Sequence, residues 1–166
     1  MGKIGFFVLG FMAFVLVLFS GCGKASEKVE EKIQEKIAEE AISADVDISG
    51  DDIKVEKDGN TYQAGEDLSW KEDDMGGLPE PKAKITSLMN TEMGGFASFE
   101  EMSEEDARDY VQKLIELGYT ENALNIEEGD MLNYTAKHSN GASISFSYTI
   151  SSKDGSINYI SAGVGQ

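Results

Sequence analysis

The chain has 166 residues, with 14 basic against 31 acidic side chains and a formal net charge of −17 at pH 7. That length allows one or two small domains, and so negative a surface repels phosphate and anionic headgroups, which excludes nucleic-acid binding. With one cysteine and one histidine, an intramolecular disulfide, a cysteine-built metal site and most thiol or imidazole chemistry are excluded as well.

After Lys3, residues 4 to 19 carry no charge, and Ser20, Gly21 and Cys22 follow before charge returns at Lys24, Glu27 and Lys28. A short basic start, an apolar stretch and small residues at its end describe an export signal. Sixteen apolar residues fall short of the ~20 of a spanning helix; an uncleaved anchor, or an ordinary secretory signal with an incidental cysteine, are the competing readings. With Ser20 and Gly21 directly before the only cysteine, this start resembles the lipobox of bacterial lipoproteins, although Phe19 stands where Leu is usual and Leu18 lies one place back. The resemblance implies cleavage before Cys22, a diacylglycerol lipid on its thiol and acylation of the new amino terminus. The mature chain is then held on the outer face of the cell membrane. Two acyl chains anchor stably, because each buried methylene contributes ~0.8 kcal/mol and a single chain holds only marginally. The expected organisation is a signal over 1–21, a lipidated tether over 22–26, a helix plus β-meander over 27–64, a linker over 65–82 and an α+β domain over 83–166.

In the mature chain, Glu-Lys-Val-Glu, Glu-Lys-Ile-Gln and Glu-Lys-Ile-Ala repeat every four residues and predict a helix over 27–42, with Ser26 as its N-cap. Val29, Ile33, Ile37 and Ala41 form a narrow apolar stripe on it. Its polar face carries more Glu than Lys, the wrong sign for anionic lipid, which favours packing on its own domain over lying on a membrane. Strands are expected over 46–48, 53–57 and 60–63, turned by Ser49-Gly50-Asp51-Asp52 and by Asp58-Gly59. The same stretch holds the best metal candidate. Asp45, Asp47, Ser49, Gly50 and Glu56 fall at positions 1, 3, 5, 6 and 12 of an EF-hand calcium loop. Two features oppose it: Asp52 stands where such a loop places an apolar residue, and residues 57–62 read as strand rather than exiting helix. Val46, Ile48, Ile53 and Val55 alternate as the two arms of a hairpin.

Residues 64 to 82 have no period and hold both prolines, as a linker does, and Trp70 is expected to dock that linker onto a neighbour. Beyond it, strands are expected over 83–89 and 96–99. A helix follows between a capping box of Ser103 and Asp106 and a C-terminal Gly118, with Ala107, Tyr110, Val111, Leu114 and Leu117 on one apolar face. Alternation in 132–136 and 142–150, and a last segment over 157–162, complete a β-β-α-β-β-β antiparallel sheet with the helix packed on one face. The fold class expected is therefore α+β: an N-terminal helix plus short β-meander, then that C-terminal sheet.

Leu78-Pro79-Glu80-Pro81, Lys84-Ile85-Thr86-Ser87, Glu104, Asp106 and Ala107 with Tyr110, and Glu116-Leu117-Gly118-Tyr119, together with the 45–59 hairpin and the lipobox, resemble a family of small bacterial membrane lipoproteins, mostly Gram-positive, with no assigned activity. The likeness spans most of the mature chain. Its motifs are structural, so it implies anchoring and fold and carries over no catalytic or binding residue.

Catalysis needs convergent groups with tuned protonation. His138 sits beside the turn residues Ser139-Asn140-Gly141 and reads as a surface imidazole, and Arg108 lies among Glu104, Glu105 and Asp109 as a surface ion pair. No catalytic set, cofactor motif or phosphate loop is recognisable. The expectation is a non-catalytic, lipid-anchored module that binds a protein, peptide or envelope component, with the Ser/Thr-rich positions of 143–149 as its recognition surface; the alternative is small-ligand or calcium capture.

Overall fold

Period-two alternation dominates this chain after residue 44, and the computed structural model, which describes residues 44–66 and 68–163, turns that alternation into a single sheet. Nine strands follow in chain order: β1 (Asp45–Ser49), β2 (Asp52–Lys57), β3 (Asn60–Ala64), β4 (Lys84–Thr91), β5 (Gly94–Glu100), β6 (Tyr119–Glu128), β7 (Met131–His138), β8 (Ser143–Thr149) and β9 (Asp154–Ile160). Among the described residues there is one α-helix, α1 (Glu104–Glu116), between β5 and β6, and one 3-10 turn at Asp73–Met75. All neighbours are antiparallel and the spatial order is β1-β2-β3-β4-β5-β9-β8-β7-β6.

This corrects the α+β expectation of a helix plus meander followed by a separate five-stranded sheet. Among the described residues the protein is close to all-β. The cause is a pairing that period-two patterning does not specify: β3 runs antiparallel to β4, with Tyr62 opposite Met89 and Gln63 opposite Leu88, so the N-terminal meander continues the C-terminal sheet. Residues 65–83 connect two adjacent strands, and the helix expected over 27–42 lies outside the described residues. The expected strand count also fell one short, because β6 was not foreseen. Its pairing with β7 shifts register twice, between Tyr119 and Glu121 and between Glu121 and Leu124, and Asn122 takes a positive φ of 52°. Such shifts break the alternation by which a strand is recognised.

α1 forms where its caps predict. Ser103 Oγ accepts from the Asp106 N–H at 3.1 Å, acidic residues fill the first turn, and Gly118 at φ 90° follows its last turn. Its buried residues Ala107, Tyr110, Val111 and Leu114 pack on one face of the sheet against Phe99, Phe146, Tyr148 and Ile157. Residues 68–81 cover the rest of that face, with Met75 and Leu78 in the core, and Trp70 Nε1 donates to the Leu78 carbonyl at 2.9 Å. Three buried phenols donate to backbone carbonyls: Tyr110 to Pro79, Tyr134 to Tyr119 and Tyr148 to Met102. At Gly155 a Cβ would lie 2.2 Å from the Ser147 carbonyl oxygen and 2.5 Å from the Phe99 ring. Only glycine lets β8 and β9 close under that ring.

The apolar side of the sheet changes along its width. Partners in register share a face, so the row Lys54, Gln63, Leu88, Ala97, Ile157, Phe146 lies on the α1 side throughout. That side is charged at β1 and β2 and apolar from β4 onward. On the reverse side the order is inverted. Ala44, Val46 and Val55, with Ile48, Ile53 and Tyr62, form a second, smaller apolar cluster there, whereas β9, β8 and β7 present polar residues.

Candidate functional site

The proposed calcium ligands fall on the hairpin β1–β2. Asp45, Asp47 and Ser49 alternate on the α1 side of β1, Glu56 stands opposite Asp45, and Lys54 stands opposite Asp47. Lys54 Nζ lies 2.7 Å from Glu56 Oε1. The hydrogen bond and charge of Glu56, backed by Asp47 and Asp45, raise the Lys54 pKa. The carboxylates therefore share a strand face with an ammonium among them, where an EF-hand would wrap them around a loop. Among the described residues no group of three or more His, Cys, Asp or Glu could hold a metal ion.

The other singled-out residues serve the fold. His138 is half-buried, not the open surface imidazole expected. Its ring meets Tyr119 edge-on at 5.5 Å, and its Nδ1 accepts from the Asn140 N–H at 3.1 Å. Arg108 grips Glu104 at 2.9 Å and reaches across to Glu127 on β6 at 2.6 Å, tying the helix to the edge strand. The Arg108 guanidinium holds the Glu127 carboxyl below its ordinary pKa. Cys22 lies outside the described residues, and no described helix is long and apolar enough to cross a membrane.

What the structure does assemble is the polar reverse face. Two cross-strand rows run through its centre: Ser98, Ser156, Ser147, Asn133 in one, and Phe96, Asn158, Ser145, Thr135 in the other. Both rows carry hydroxyls and amides and no charge, in a chain with 31 acidic residues. Charges stand only at the margins, with Lys137 opposite Glu121 beside one row and Asp154 beyond the other. A shallow depression of about 260 Å³ opens where β6 bulges, lined by Asn122, Thr135, Lys137, Ser143, Ser145 and Asn158 among others. Exposed Leu124, Ile126 and Ile160 rim this face. Such a surface offers neutral donors and acceptors beside small apolar patches, and can hydrogen-bond an uncharged polar ligand without desolvating an ion.

Sequence reasoning reached Ser143, Ser145, Ser147 and Thr149 but not the partners that make them a surface. Asn133, Thr135, Ser156 and Asn158 alternate visibly in their own strands; only the register sets them beside the serines. Comparison with protein-family models, with curated proteins and with solved structures finds no match for this chain.

Proposed function

We propose that the protein is a lipid-anchored extracytoplasmic lipoprotein acting as a non-catalytic binding module, held at the membrane through Cys22 and recognising an envelope component with the neutral face built by β5, β9, β8 and β7. The observation that carries the recognition half is the exclusion of charge from two full rows of that face. A solvated sheet face in so acidic a chain would ordinarily share the prevailing charge, as the α1 side of β1 and β2 does. Support for the anchor comes from the start of the chain, where Ser20, Gly21 and Cys22 close an apolar export signal. The ligand class this face suits is uncharged and polar: a neutral glycan stretch or a peptide backbone.

Metabolic labelling with an alkyne fatty acid tests the anchor. Incorporation is expected in the wild-type chain and absent in Cys22→Ala; unchanged incorporation in the variant overturns it. Capture from solubilised envelopes tests recognition: a component retained by the full chain and lost with Ser145→Lys and Ser147→Lys supports the face, and recovery of none in any growth condition overturns it.

A further inference from the structure

β6 ends the sheet, and among the described residues no strand lies beyond it. Every residue from Thr120 to Glu128 is exposed. Asn125 and Glu127 are exposed although Tyr134 and Leu132, which face them on β7, are buried on the α1 side. The covering layer therefore stops short of β6. On the reverse side Leu124 is 54% and Ile126 41% exposed. The strand is open on both faces and along its outer edge, and the backbone groups that point away from β7 have no ladder partner among the described residues. An open edge carrying apolar side chains is a template for a further strand.

The form of this edge selects the strand that fits it. Leu124–Glu128 pair with β7 without a break, whereas a register shift precedes Leu124 and Gly129, at φ 59°, turns the chain after Glu128. The regular edge is thus Leu-Asn-Ile-Glu-Glu, with Ile126 at its midpoint. Edges are commonly guarded by charge and bulges, but here most of the guard lies elsewhere: Glu121 stands beyond the bulge, and Glu127 is held by Arg108 at 2.6 Å. A second copy, brought up antiparallel about a two-fold axis through Ile126, meets the regular segment along its whole length. Ile126 then faces the partner's Ile126, Leu124 faces the partner's Glu128, and Asn125 faces the partner's Glu127. No carboxylate faces another. Moving the axis to Asn125 draws the bulge at Asn122 into the ladder, and moving it to Glu127 sets that carboxylate against its own copy. The charge of −17 on each chain opposes the approach, but that repulsion is screened over ~8 Å at physiological ionic strength, so pairing strengthens with salt.

We infer that the protein forms a two-fold dimer in which β6 pairs with β6 about Ile126, joining the two sheets edge to edge. Leu124 and Ile126 of both copies then make one apolar stripe on the reverse side. The axis stands perpendicular to the sheet, so like faces fall on the same side and the two neutral faces flank that stripe. The pairing itself depends on neither the recognition reading nor lipidation. Its consequence does rest on the recognition reading: a long or repeating envelope component can engage both faces at once, and bind more tightly than to one.

Cysteine cross-linking of the full chain tests the register. In cell lysates treated with copper phenanthroline, the linked peptide is read by mass so that Cys22 does not interfere, and variants are compared within whichever fraction holds the chain. Facing residues have Cβ atoms ~4.5–5.5 Å apart, so Ile126→Cys is expected to link between copies at least tenfold faster than the exposed control Lys71→Cys. Leu124→Cys is expected to link no faster than the control, because two copies of residue 124 lie four residues apart along the ladder, ~14 Å. Adding Leu124→Glu to Ile126→Cys sets a carboxylate against the partner's Glu128 and is expected to slow linkage at least fivefold. Adding Leu124→Lys at the same point supplies the opposite charge and is expected to leave linkage as fast or faster. The inference is overturned if Ile126→Cys links no faster than Lys71→Cys, if Leu124→Cys links as fast as Ile126→Cys, or if the Glu and Lys variants slow linkage alike. None of these readouts requires an envelope component, so failure of the dimer and failure of recognition are told apart.

Discussion

Lys54 and Phe146 lie on one cross-strand row and hence on one face of one sheet, although Lys54 reaches solvent and Phe146 is fully buried. The sheet thus exchanges its wet and dry sides between β3 and β4. The apolar residues are therefore patterned strand by strand, on the reverse side over β1 to β3 and on the α1 side from β4 onward.

That exchange makes opposite predictions for adjacent residues. Val55→Lys puts an ammonium into a sealed apolar cluster and is expected to destabilise the fold by about 3 kcal/mol or more, whereas Lys54→Val on the open face is expected to change stability by under about 0.5 kcal/mol. Urea denaturation followed by circular dichroism measures both. Equal effects would mean that the two faces of β2 are not distinct.

Calcium is expected to leave the protein unchanged. Lys54 stands among Asp45, Asp47 and Glu56, and their strand geometry offers no enclosing loop. Calorimetric titration and thermal melts with millimolar calcium should be flat. A rise in melting temperature that disappears with Asp47→Ala would contradict this.

Gly155→Ala is expected to destabilise by about 1–3 kcal/mol, since the new methyl group meets the Ser147 carbonyl and the Phe99 ring inside van der Waals contact. Thermal unfolding reads the loss, and Phe99→Leu added to Gly155→Ala should recover part of it by removing one of the two obstacles.

Several features of the fold were legible in the sequence and others were not, for separable reasons. Asp58-Gly59 marks the β2–β3 turn, Ser103 and Gly118 mark the ends of α1, and the serine alternation of β8 marks its wet side, because each is a local signal. The β3–β4 pairing is not local: Tyr62 and Met89 both alternate correctly, and nothing near either says that they face each other. β6 was invisible because Leu124 and Ile126 are exposed and its bulges break the period. The candidate surface was half legible for the same reason, since Ser145 and Ser147 stood out while Asn133 and Asn158 became neighbours only through register.

Alkaline pH is expected to unfold the protein through its buried phenols. Desolvation raises the Tyr110 pKa far above that of a free phenol. Because the folded state holds the proton more tightly, the stabilisation is fully present below the unfolded pKa of about 10 and is lost as pH rises beyond it. Denaturation between pH 8 and pH 11 should show a steep fall in stability that becomes shallower in Tyr110→Phe. An unchanged slope would contradict the assignment.

The central claim is that the neutral face recognises an envelope component, and the most direct measurement compares added charge on the two faces. Full chain is titrated with isolated envelopes in three forms: wild type, Ser145→Lys with Ser147→Lys on the neutral face, and Thr61→Lys with Gln63→Lys on the α1 side. Wild type and the α1-side variant are predicted to bind alike, with at least tenfold weaker binding by the neutral-face variant. Equal binding by all three, or equal loss in both variants, would contradict recognition at that face.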